Sequence, residues 1–336
     1  MLRRVLGQTG IEVSVLGFGC AKLTATPQDE ALRILETAYA EGITHFDIAR
    51  LYGLGWAEKI LGEFLKGKRD RVTVATKFGL QPPGGWVKRK RLVYAAKKVL
   101  GIFPPLVKLA RRRAHQGIQA GKFSPEEAIK SLQTSLRELG TDHVEMLLLH
   151  EAELADAQSE PLTRALESEI ARGAIRCVGI GSDFARLPLD LGKYPPIFKV
   201  IQFNHNAQTE NLQRLSGVEG RALSTHTVFG PATALVDAVA RMPQQEAKQS
   251  AARIGVERLD SPTINSLLLH YNLTTNSQGM VLFSSIKTAH VTANAKEAGR
   301  SPYDAGQIAK FAQFVHATLD AQPAENRRPN EALIGH

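Results

Sequence analysis

The stretch HFDIARLYGLGWAEKILGEFLKGKRDRVTVATK, residues 45–77, contains one unit of the alternation between strands and helices that runs along this chain. Short apolar segments at His45–Ile48 and Val72–Thr76 predict two buried β-strands. The helical spacing of apolar residues in Ala57–Leu65 predicts a helix between them. This order of elements is typical of a parallel sheet whose strands are joined by helical crossovers.

The same alternation continues on both sides of this stretch. Further strands are predicted at Val15–Gly19, Val144–Leu149, Cys177–Gly181, Val200–Phe203, Leu223–Val228 and Met280–Phe283. Further helices are predicted from Pro27 to Gly42 and at Pro125–Leu139, Leu162–Ala171, Gln208–Leu215 and Ile264–Tyr271. Eight strands, each followed by room for a helix, predict an α/β fold of the (β/α)8 TIM barrel type. Alternating apolar residues around Gln8-Thr9-Gly10 predict an N-terminal β-hairpin.

The alternative architecture is a doubly wound dinucleotide-binding fold. Gly17-Phe18-Gly19 follows a predicted strand, as the glycine-rich turn of that fold does. The third glycine of that fingerprint is missing, because position 22 is Lys22. A lone G-x-G is a weak signal, so we favour the barrel.

A basic segment interrupts the alternation after the third strand. Residues 81–122 hold eleven Lys and Arg and no Asp or Glu, and subtracting these eleven charges from the net charge of +9 leaves −2. We predict one barrel domain over 1–336 with a basic insert at 79–123, which contains short helices at Leu92–Leu100 and Leu106–Ala114. The insert could be a lid, a funnel for anionic substrates, a surface for acidic partners or lipid, or a solvated face.

The composition restricts the possible classes of protein. With 43% hydrophobic and 22% charged residues, the chain is predicted to be globular. It has no apolar run of roughly 20 residues and no secretory signal at its N-terminus, so we expect no transmembrane segment and a cytoplasmic location. Cys20 and Cys177 form no metal-binding pattern, and no metal or disulfide is expected. Because the basic charge is confined to one segment, nucleic acid is the least favoured partner.

Four polar residues are placed where a barrel of this kind carries its active site. Asp47, Lys77 and His150 end the second, third and fourth predicted strands, and Tyr52 follows the second. The ammonium of Lys77 is expected to lower the pKa of the Tyr52 hydroxyl, with Asp47 holding Lys77 in place. Tyr52 would then exchange a proton with a carbonyl or alcohol oxygen, and His150 would donate a second hydrogen bond. Each residue alone is more often structural, but their joint placement favours a catalytic site.

Several motifs resemble those of the aldo-keto reductase family. They are Phe46-Asp47-Ile48-Ala49 with Tyr52-Gly53, Ala57-Glu58-Lys59-Ile60-Leu61-Gly62, Ala75-Thr76-Lys77-Phe78, and Ser131-Leu132 through Leu139-Gly140-Thr141-Asp142 to Leu147-Leu148-Leu149-His150. The resemblance extends from Leu6 to about Ala298 and omits the basic insert. It is weakest in the polar tail that follows. It implies an NAD(P)(H)-dependent oxidoreductase that moves a hydride between nicotinamide and an aldehyde, ketone or sugar, without a Rossmann fold.

The resemblance also implies contacts with the nicotinamide end of the cofactor. Gly19 and Cys20 stand at the positions that lie behind the nicotinamide ribose in the family, and Asp47 is a further candidate contact. Ser182 and Gln202 match the polar pair that binds the carboxamide. Two positions depart from the family pattern. Asp183 replaces the usual asparagine and can accept but not donate a hydrogen bond, and His226, followed by Thr227, replaces a stacking tyrosine.

The last predicted strand leads into a segment that resembles the adenosine-phosphate site of the family. Its candidate contacts are Ser284, Ser285, Lys287, His290 and Asn294. His290 stands where an arginine often binds the 2′-phosphate, and Lys287 could compensate for it. Hydroxyls and a helix N-terminus suit a phosphate group, so NADP(H) is favoured and NAD(H) is the alternative. A plain helix start, with Ser284 or Ser285 as the N-cap, is the structural alternative.

Three functions are compatible with these residues. The first is an active oxidoreductase that takes a small-molecule carbonyl or alcohol substrate. The second is a protein of the same fold that binds nicotinamide and senses redox state or regulates a partner without turnover. The third is a lyase or aldolase in which Lys77 forms a Schiff base with the substrate. The substrate, the physiological direction and the oligomeric state are left open by the sequence.

Overall fold

The computed structural model describes residues 1–80 and 121–320. Two short strands, β1 (Arg3–Val5) and β2 (Glu12–Ser14), form the predicted antiparallel hairpin. Eight parallel strands close into a barrel, in which each strand pairs with the next along the chain and the last pairs with the first. They are β3 (Leu16–Gly19), β4 (His45–Asp47), β5 (Thr73–Phe78), β6 (Val144–His150), β7 (Ile175–Gly181), β8 (Phe198–Asn204), β9 (Ala222–His226) and β10 (Met280–Phe283). The predicted (β/α)8 barrel is confirmed, and the doubly wound alternative is wrong.

Helices surround this barrel on the outside. Within the described ranges they are α1 (Gln28–Ala40), α2 (Trp56–Leu65), α3 (Pro125–Leu139), α4 (Leu154–Ala157), α5 (Glu160–Ala171), α6 (Ala232–Arg241), α7 (Gln244–Ile254), α8 (Ser261–Thr275), α9 (Thr288–Ala298) and α10 (Ala305–Asp320). None of the helices in these ranges is long and apolar enough to cross a membrane. The predicted insert helices, Leu92–Leu100 and Leu106–Ala114, lie outside the described residues.

Local sequence explains the bounds of α3, which begins and ends where the sequence predicts. The hydroxyl of Ser124 accepts a hydrogen bond from the backbone N–H of Glu127, and Pro125 occupies the first helical position. At the other end, Gly140 has a φ of 66°, the left-handed conformation that terminates many helices. The helix buries one face against the barrel, with Leu132 and Leu139 among the buried residues.

The inward-facing side chains of the strands fill the barrel with apolar atoms at its N-terminal end. The cluster contains Ala75, Met146, Leu148, Cys177, Val200, Ala222, Met280 and Leu282, and the hairpin adds Leu6, Ile11 and Val13. Because side chains alternate between the two faces of a strand, the next inward positions on β5, β6 and β8 are Lys77, His150 and Gln202. Polar side chains therefore begin where the apolar filling ends, at the C-terminal mouth of the barrel.

Two predictions about the outer elements were wrong. The helix predicted at Gln208–Leu215 is reduced to a single 3-10 turn, Asn211–Arg214. The carboxamide oxygen of Asn206 accepts the backbone N–H groups of residues 208 and 209, and Glu210 adopts a φ of 47°, so the chain cannot continue as an α-helix. The tail after Ala298 is not uniformly polar, because α10 buries Ile308, Phe311, Val315 and Leu319 against α8 and its neighbours.

Candidate active site

A buried ion pair lies at the centre of the barrel mouth. The ammonium nitrogen Nζ of Lys77, on β5, donates to Oδ1 of Asp47, on β4, at 2.5 Å and to the carbonyl oxygen of Ile48 at 3.2 Å. Only 3% of the Lys77 side chain and 5% of the Asp47 side chain are exposed. The second carboxylate oxygen, Oδ2, accepts from Nε2 of Gln202 at 2.8 Å. Asp47 is thus held from two strands, and it fixes the position of Lys77.

This pairing keeps Lys77 positively charged despite its burial. Burial alone lowers the pKa of a lysine, because a low-dielectric environment disfavours the ammonium form. Asp47 and Tyr52 outweigh that effect and leave the pKa of Lys77 above its ordinary value. Nucleophilic attack on a carbonyl requires a neutral amine, so this charge state argues against the Schiff-base alternative.

Tyr52 begins the 3-10 turn Tyr52–Gly55 that follows β4, and its ring lies above the ion pair. The centre of the ring is 5.3 Å from Nζ of Lys77 and 6.1 Å from the centre of the His150 ring, which it meets nearly edge-on at 87°. The turn depends on glycine at position 53, where φ is 55° and an added Cβ would lie 2.2 Å from Thr24. Glycine at position 53 is therefore required for the turn that carries Tyr52.

The pKa of Tyr52 differs from the sequence-based expectation in its net direction. Burial raises the pKa of the phenol, the positive charge of Lys77 lowers it, and the first effect is the larger, so the pKa lies above the ordinary value of the group. The predicted effect of Lys77 is present, but the predicted net lowering was wrong. The difference arises because the folded chain removes water from the phenolate, and this effect is larger than that of Lys77. Tyr52 is accordingly protonated at neutral pH.

Two neutral imidazoles face the same mouth. Burial, reinforced by the charge of Lys77, lowers the pKa of His150 to about 3, and burial lowers the pKa of His226 to about 4. The Nδ1 atom of His150 is buried and has no hydrogen-bond partner among the residues described. Nδ1 of His226 lies 2.8 Å from Oγ1 of Thr227. Uncharged imidazoles can each donate one hydrogen bond without placing a second positive charge beside Lys77.

The backbone is strained immediately after both histidines. Glu151, which follows His150, has a φ of 57°, and Thr227, which follows His226, has a φ of 67°. Non-glycine residues rarely adopt this left-handed conformation, and such residues cluster at functional sites. The ends of β6 and β9 are therefore fixed at some energetic cost.

The residues predicted to bind the carboxamide lie on adjacent strand ends but have different surroundings. Ser182 is buried, and its hydroxyl lies 3.4 Å from the carbonyl oxygen of Ala152. Gln202 uses Nε2 for Asp47 and retains Oε1 as an acceptor. Asp183 is engaged locally, because its Oδ1 accepts the backbone N–H of Ala185 at 2.9 Å. Its carboxylate caps the turn after β7.

The predicted ribose and phosphate contacts lie around the ends of β3 and β10. The hydroxyl of Ser284 donates to the carbonyl oxygen of Gly19 at 2.8 Å, and a Cβ at position 19 would lie 2.6 Å from that hydroxyl, so the two strand ends meet closely only with glycine there. Cys20 is fully buried, and burial raises the pKa of its thiol, so it is not an exposed thiolate. Cys20 contributes packing at this position.

The segment before α9 leaves a helix N-terminus accessible. Oγ of Ser285 accepts the backbone N–H of Lys287 at 3.1 Å, and Lys287 immediately precedes the helix. The side chains of Lys287 and His290 are exposed, and Asn294 is half-buried on the same helix. Unsatisfied backbone N–H groups and a nearby lysine are suited to a phosphate.

A second buried ion pair, near the Tyr52 turn, was not predicted from the sequence. Glu58, on α2, is fully buried and contacts Arg50 and Thr76. A carboxylate among the apolar residues Ala57, Ile60 and Leu61 was the available signal, because charged residues are almost never fully buried without a partner.

With this geometry in place, comparison with known proteins identifies the family. The profile of the aldo/keto reductase family matches residues 15–316. The chain therefore belongs to the aldo/keto reductase family, as its motifs predicted.

Named relatives match over part of their length. A D-threo-aldose 1-dehydrogenase from a Pseudomonas species is 34% identical over 185 residues, which cover 52% of this chain and 51% of that protein. A 6-dehydroglucose reductase from Agrobacterium fabrum is 33% identical over 152 residues, which cover 44% of this chain and 42% of that protein. The chain thus spans about half the length of these curated relatives.

Solved structures match over nearly the whole chain. The holo form of an aldo-keto reductase from Bacillus halodurans superposes with a TM-score of 0.66 at 21% identity and covers 98% of this chain and 100% of its own. A glycerol dehydrogenase from Gluconobacter oxydans superposes with a TM-score of 0.67 at 15% identity and covers 96% of this chain and 97% of its own. At these identities the likeness establishes the fold alone.

Proposed function

We propose that this protein is a nicotinamide-dependent oxidoreductase that transfers a hydride between NAD(P)(H) and a carbonyl or alcohol group of a small molecule, with Tyr52 as the general acid and base. The observation that carries the proposal is the buried ion pair between Lys77 and Asp47 beneath the Tyr52 ring. A charged lysine held at this depth beside a phenol is arranged for proton transfer rather than for packing.

Tyr52 supplies the proton in carbonyl reduction. Negative charge develops on the carbonyl oxygen as its carbon is reduced, and the Tyr52 hydroxyl donates a proton to that oxygen. Lys77 stabilises the phenolate that Tyr52 becomes, and Asp47 keeps Lys77 charged and in place. The neutral His150 donates a second hydrogen bond to the same oxygen. Alcohol oxidation uses the same groups in reverse, with Tyr52 accepting the proton.

The residues at the mouth fit a nicotinamide cofactor. The nicotinamide ring, when bound, supplies or accepts the hydride. Ser182 and Gln202 would hold its carboxamide, His226 would stack against the ring, and Gly19, whose strand end meets Ser284 closely, would lie against the ribose. Ser285 and Lys287, at the start of α9, would bind the phosphate of the adenosine half. This set favours NADP(H) over NAD(H), because the exposed Lys287 can pair with a 2′-phosphate.

Sugars and related aldehydes are the first substrates to test. Two relatives that match this chain are named for reactions on an aldose and on an oxidised glucose. A protonated Tyr52 at neutral pH favours reduction as the direction to assay first.

The test is to follow oxidation of NADPH and NADH at increasing concentrations of aldoses, oxidised sugars, aldehydes and ketones, with wild type and a Tyr52→Phe variant. We expect turnover in the wild type, a loss in the variant of about 10² to 10⁴-fold in kcat, and unchanged cofactor affinity measured by nicotinamide fluorescence. Cofactor binding without turnover on any substrate would favour the redox-sensor alternative. Undiminished turnover in the Tyr52→Phe variant would refute the role of Tyr52.

A further inference from the structure

A buried charged bridge joins the segments that carry Tyr52 and Lys77. Nη1 of Arg50 lies 2.7 Å from Oε2 of Glu58, and Oγ1 of Thr76 donates to Oε1 of Glu58 at 2.9 Å. The exposed fractions of the Arg50 and Glu58 side chains are 12% and 0%. Each oxygen of the Glu58 carboxylate thus has its own donor. We call these three residues the buried bridge.

Stability alone gives little reason for a charged group at this position. Removing two charges from water is costly, and replacing a buried ion pair by apolar residues of similar volume is often neutral or stabilising. Glu58 is surrounded by apolar residues of α2 that already bury well. Stability therefore does not account for Glu58, and the segments that its carboxylate contacts are the relevant feature.

The positions of the three residues supply that explanation. Arg50 lies two residues before Tyr52 in the loop after β4, and Glu58 lies in the first turn of α2, which follows Tyr52. Thr76 immediately precedes Lys77 on β5. Because neighbouring strand residues face opposite sides, Thr76 points outward to Glu58 while Lys77 points inward to Asp47. The Glu58 carboxylate, on the outside of the barrel wall, thus connects the residues on both sides of the Tyr52 turn with the strand that carries Lys77.

We propose that the buried bridge sets the position of the Tyr52 hydroxyl relative to Lys77, and that Glu58 is a positioning residue for catalysis. The inference rests on the proposed function of Tyr52. Glu58 acts through geometry. The charged and titratable groups that act on Tyr52 are Lys77 on β5, Asp47 on β4 and Cys20 after β3, with the neutral His150 ring against its edge. Glu58 is not among them.

The main variant is Glu58→Gln, which preserves the volume and the acceptor for Thr76 but removes the charge that holds Arg50. We expect kcat to fall by about 10²-fold, as for a catalytic group displaced by about 1 Å, with KM and cofactor affinity unchanged. Displacement also weakens the effect of Lys77 on the phenol, so the pH midpoint assigned to Tyr52 should move upward. The control variant must lose a similar ion pair without touching the site.

Glu145→Gln is a matched control near the N-terminal end of the neighbouring strand β6, away from the barrel mouth. Nη2 of Arg69 lies 3.0 Å from Oε2 of Glu145, the exposed fractions are 14% and 5%, and the backbone N–H of Val74 also donates to this carboxylate. We expect a comparable loss of thermal stability, with kcat and the pH midpoint unchanged. If this control loses as much kcat as Glu58→Gln, the buried bridge is only a stability element and the proposal is wrong.

Two further measurements are kcat of a Thr76→Val variant and a spectroscopic titration of Tyr52. Thr76→Val removes one hydrogen bond and should lower kcat in the same sense but less. If Glu58→Gln does not fold, an unchanged kcat in Thr76→Val overturns the proposal. Ultraviolet titration of wild type against Tyr52→Phe isolates the Tyr52 phenolate without any substrate. If the pH midpoint of the Tyr52 phenol is unchanged in Glu58→Gln, Glu58 does not position Tyr52, and this holds even if the protein has no turnover. Absence of turnover by itself refutes only the proposed function.

Discussion

Replacing Asp47 by Asn removes the negative charge that compensates the burial of Lys77. At the observed separation of 2.5 Å, the attraction between the two charges is roughly 7 kcal/mol at an effective dielectric constant of about 20. Lys77 can avoid this loss by releasing its proton. At pH 7 that release costs about 4.6 kcal/mol, from an ordinary pKa of about 10.4 and 1.36 kcal/mol per unit. We therefore expect the free energy of unfolding to fall by about 3 to 5 kcal/mol.

The sign of the pH dependence follows from the same argument. In the wild type the folded-state pKa of Lys77 is raised, so its contribution to stability is present below the ordinary lysine pKa and is lost above the raised value. In Asp47→Asn the pKa of Lys77 is lowered by burial. The unfolded chain then binds the proton more tightly than the folded one, and stability rises with pH. At pH 9.4 the cost of neutral Lys77 is only about 1.4 kcal/mol, so most of the deficit should disappear.

Urea denaturation at pH 7.0 and pH 9.4 measures this deficit against wild type at each pH. Glu145→Gln is again the control, because it breaks an ion pair whose cation is a guanidinium, a group that stays charged in proteins, so its deficit should be equal at both pH values. We expect a deficit of about 3 to 5 kcal/mol at pH 7, as for a broken buried ion pair. A deficit of less than about 1 kcal/mol would refute the assigned charge state of Lys77. A deficit that does not shrink at pH 9.4 would refute it equally.

Two further predictions concern His150 and Lys287. The pKa of His150 is lowered to about 3 in the folded chain, whereas an unperturbed histidine has a pKa of about 6.5. As the pH falls from 7.5 to 4.5, this histidine is therefore protonated in the unfolded chain but not in the folded one. The free energy of unfolding of the wild type should fall by about 2.7 kcal/mol over this range for that reason. In His150→Gln the free energy of unfolding should decrease by about 2.7 kcal/mol less than in the wild type over the same pH range. If urea denaturation at several pH values gives the same decrease for both proteins, the buried neutral imidazole is contradicted. Lys287→Ala should weaken NADPH binding by about 1 kcal/mol, or about fivefold, because the side chain is exposed. NADH binding should not change in a fluorescence titration, and an equal loss for both cofactors would contradict a 2′-phosphate contact.

The barrel could be predicted because its signals are local. Strands buried on both sides give apolar runs, and Met280–Phe283 has the predicted bounds. Helix α3 has its predicted bounds because Ser124 and Gly140 are capping residues within the sequence itself. The failed helix at Gln208–Leu215 illustrates the limit. There a side chain outside the apolar pattern, Asn206, competes for the backbone N–H groups.

The positions of the candidate site residues could be predicted from the sequence, but the direction of the Tyr52 pKa shift could not. Asp47, Lys77 and His150 follow from the rule that strand ends of a barrel meet at one mouth. The net direction of the Tyr52 pKa depends on how much water the folded chain removes from the phenol, which no local pattern encodes. The apolar surroundings of Glu58 in the sequence indicate that its carboxylate needs a partner, but they do not identify Arg50 or Thr76, and the contact with Thr76 forms only in the closed fold.

One physical cause, removal of water from the barrel mouth, sets the protonation states of the whole site. It raises the pKa of Tyr52, lowers that of His150 to about 3, and by itself would also lower the pKa of Lys77. Lys77 remains charged because Asp47, at 2.5 Å, outweighs the effect of burial together with Tyr52. Asp47 is the larger of these two contributions to the difference between a charged lysine and its neutral neighbours. A protonated acid, a neutral donor and a single nearby cation are the combination that carbonyl reduction requires at neutral pH. Asp47→Asn should therefore do more than destabilise the fold. In variant protein that stays folded at pH 7, Lys77 should be neutral, and the phenolate of Tyr52 should lose its stabilising charge.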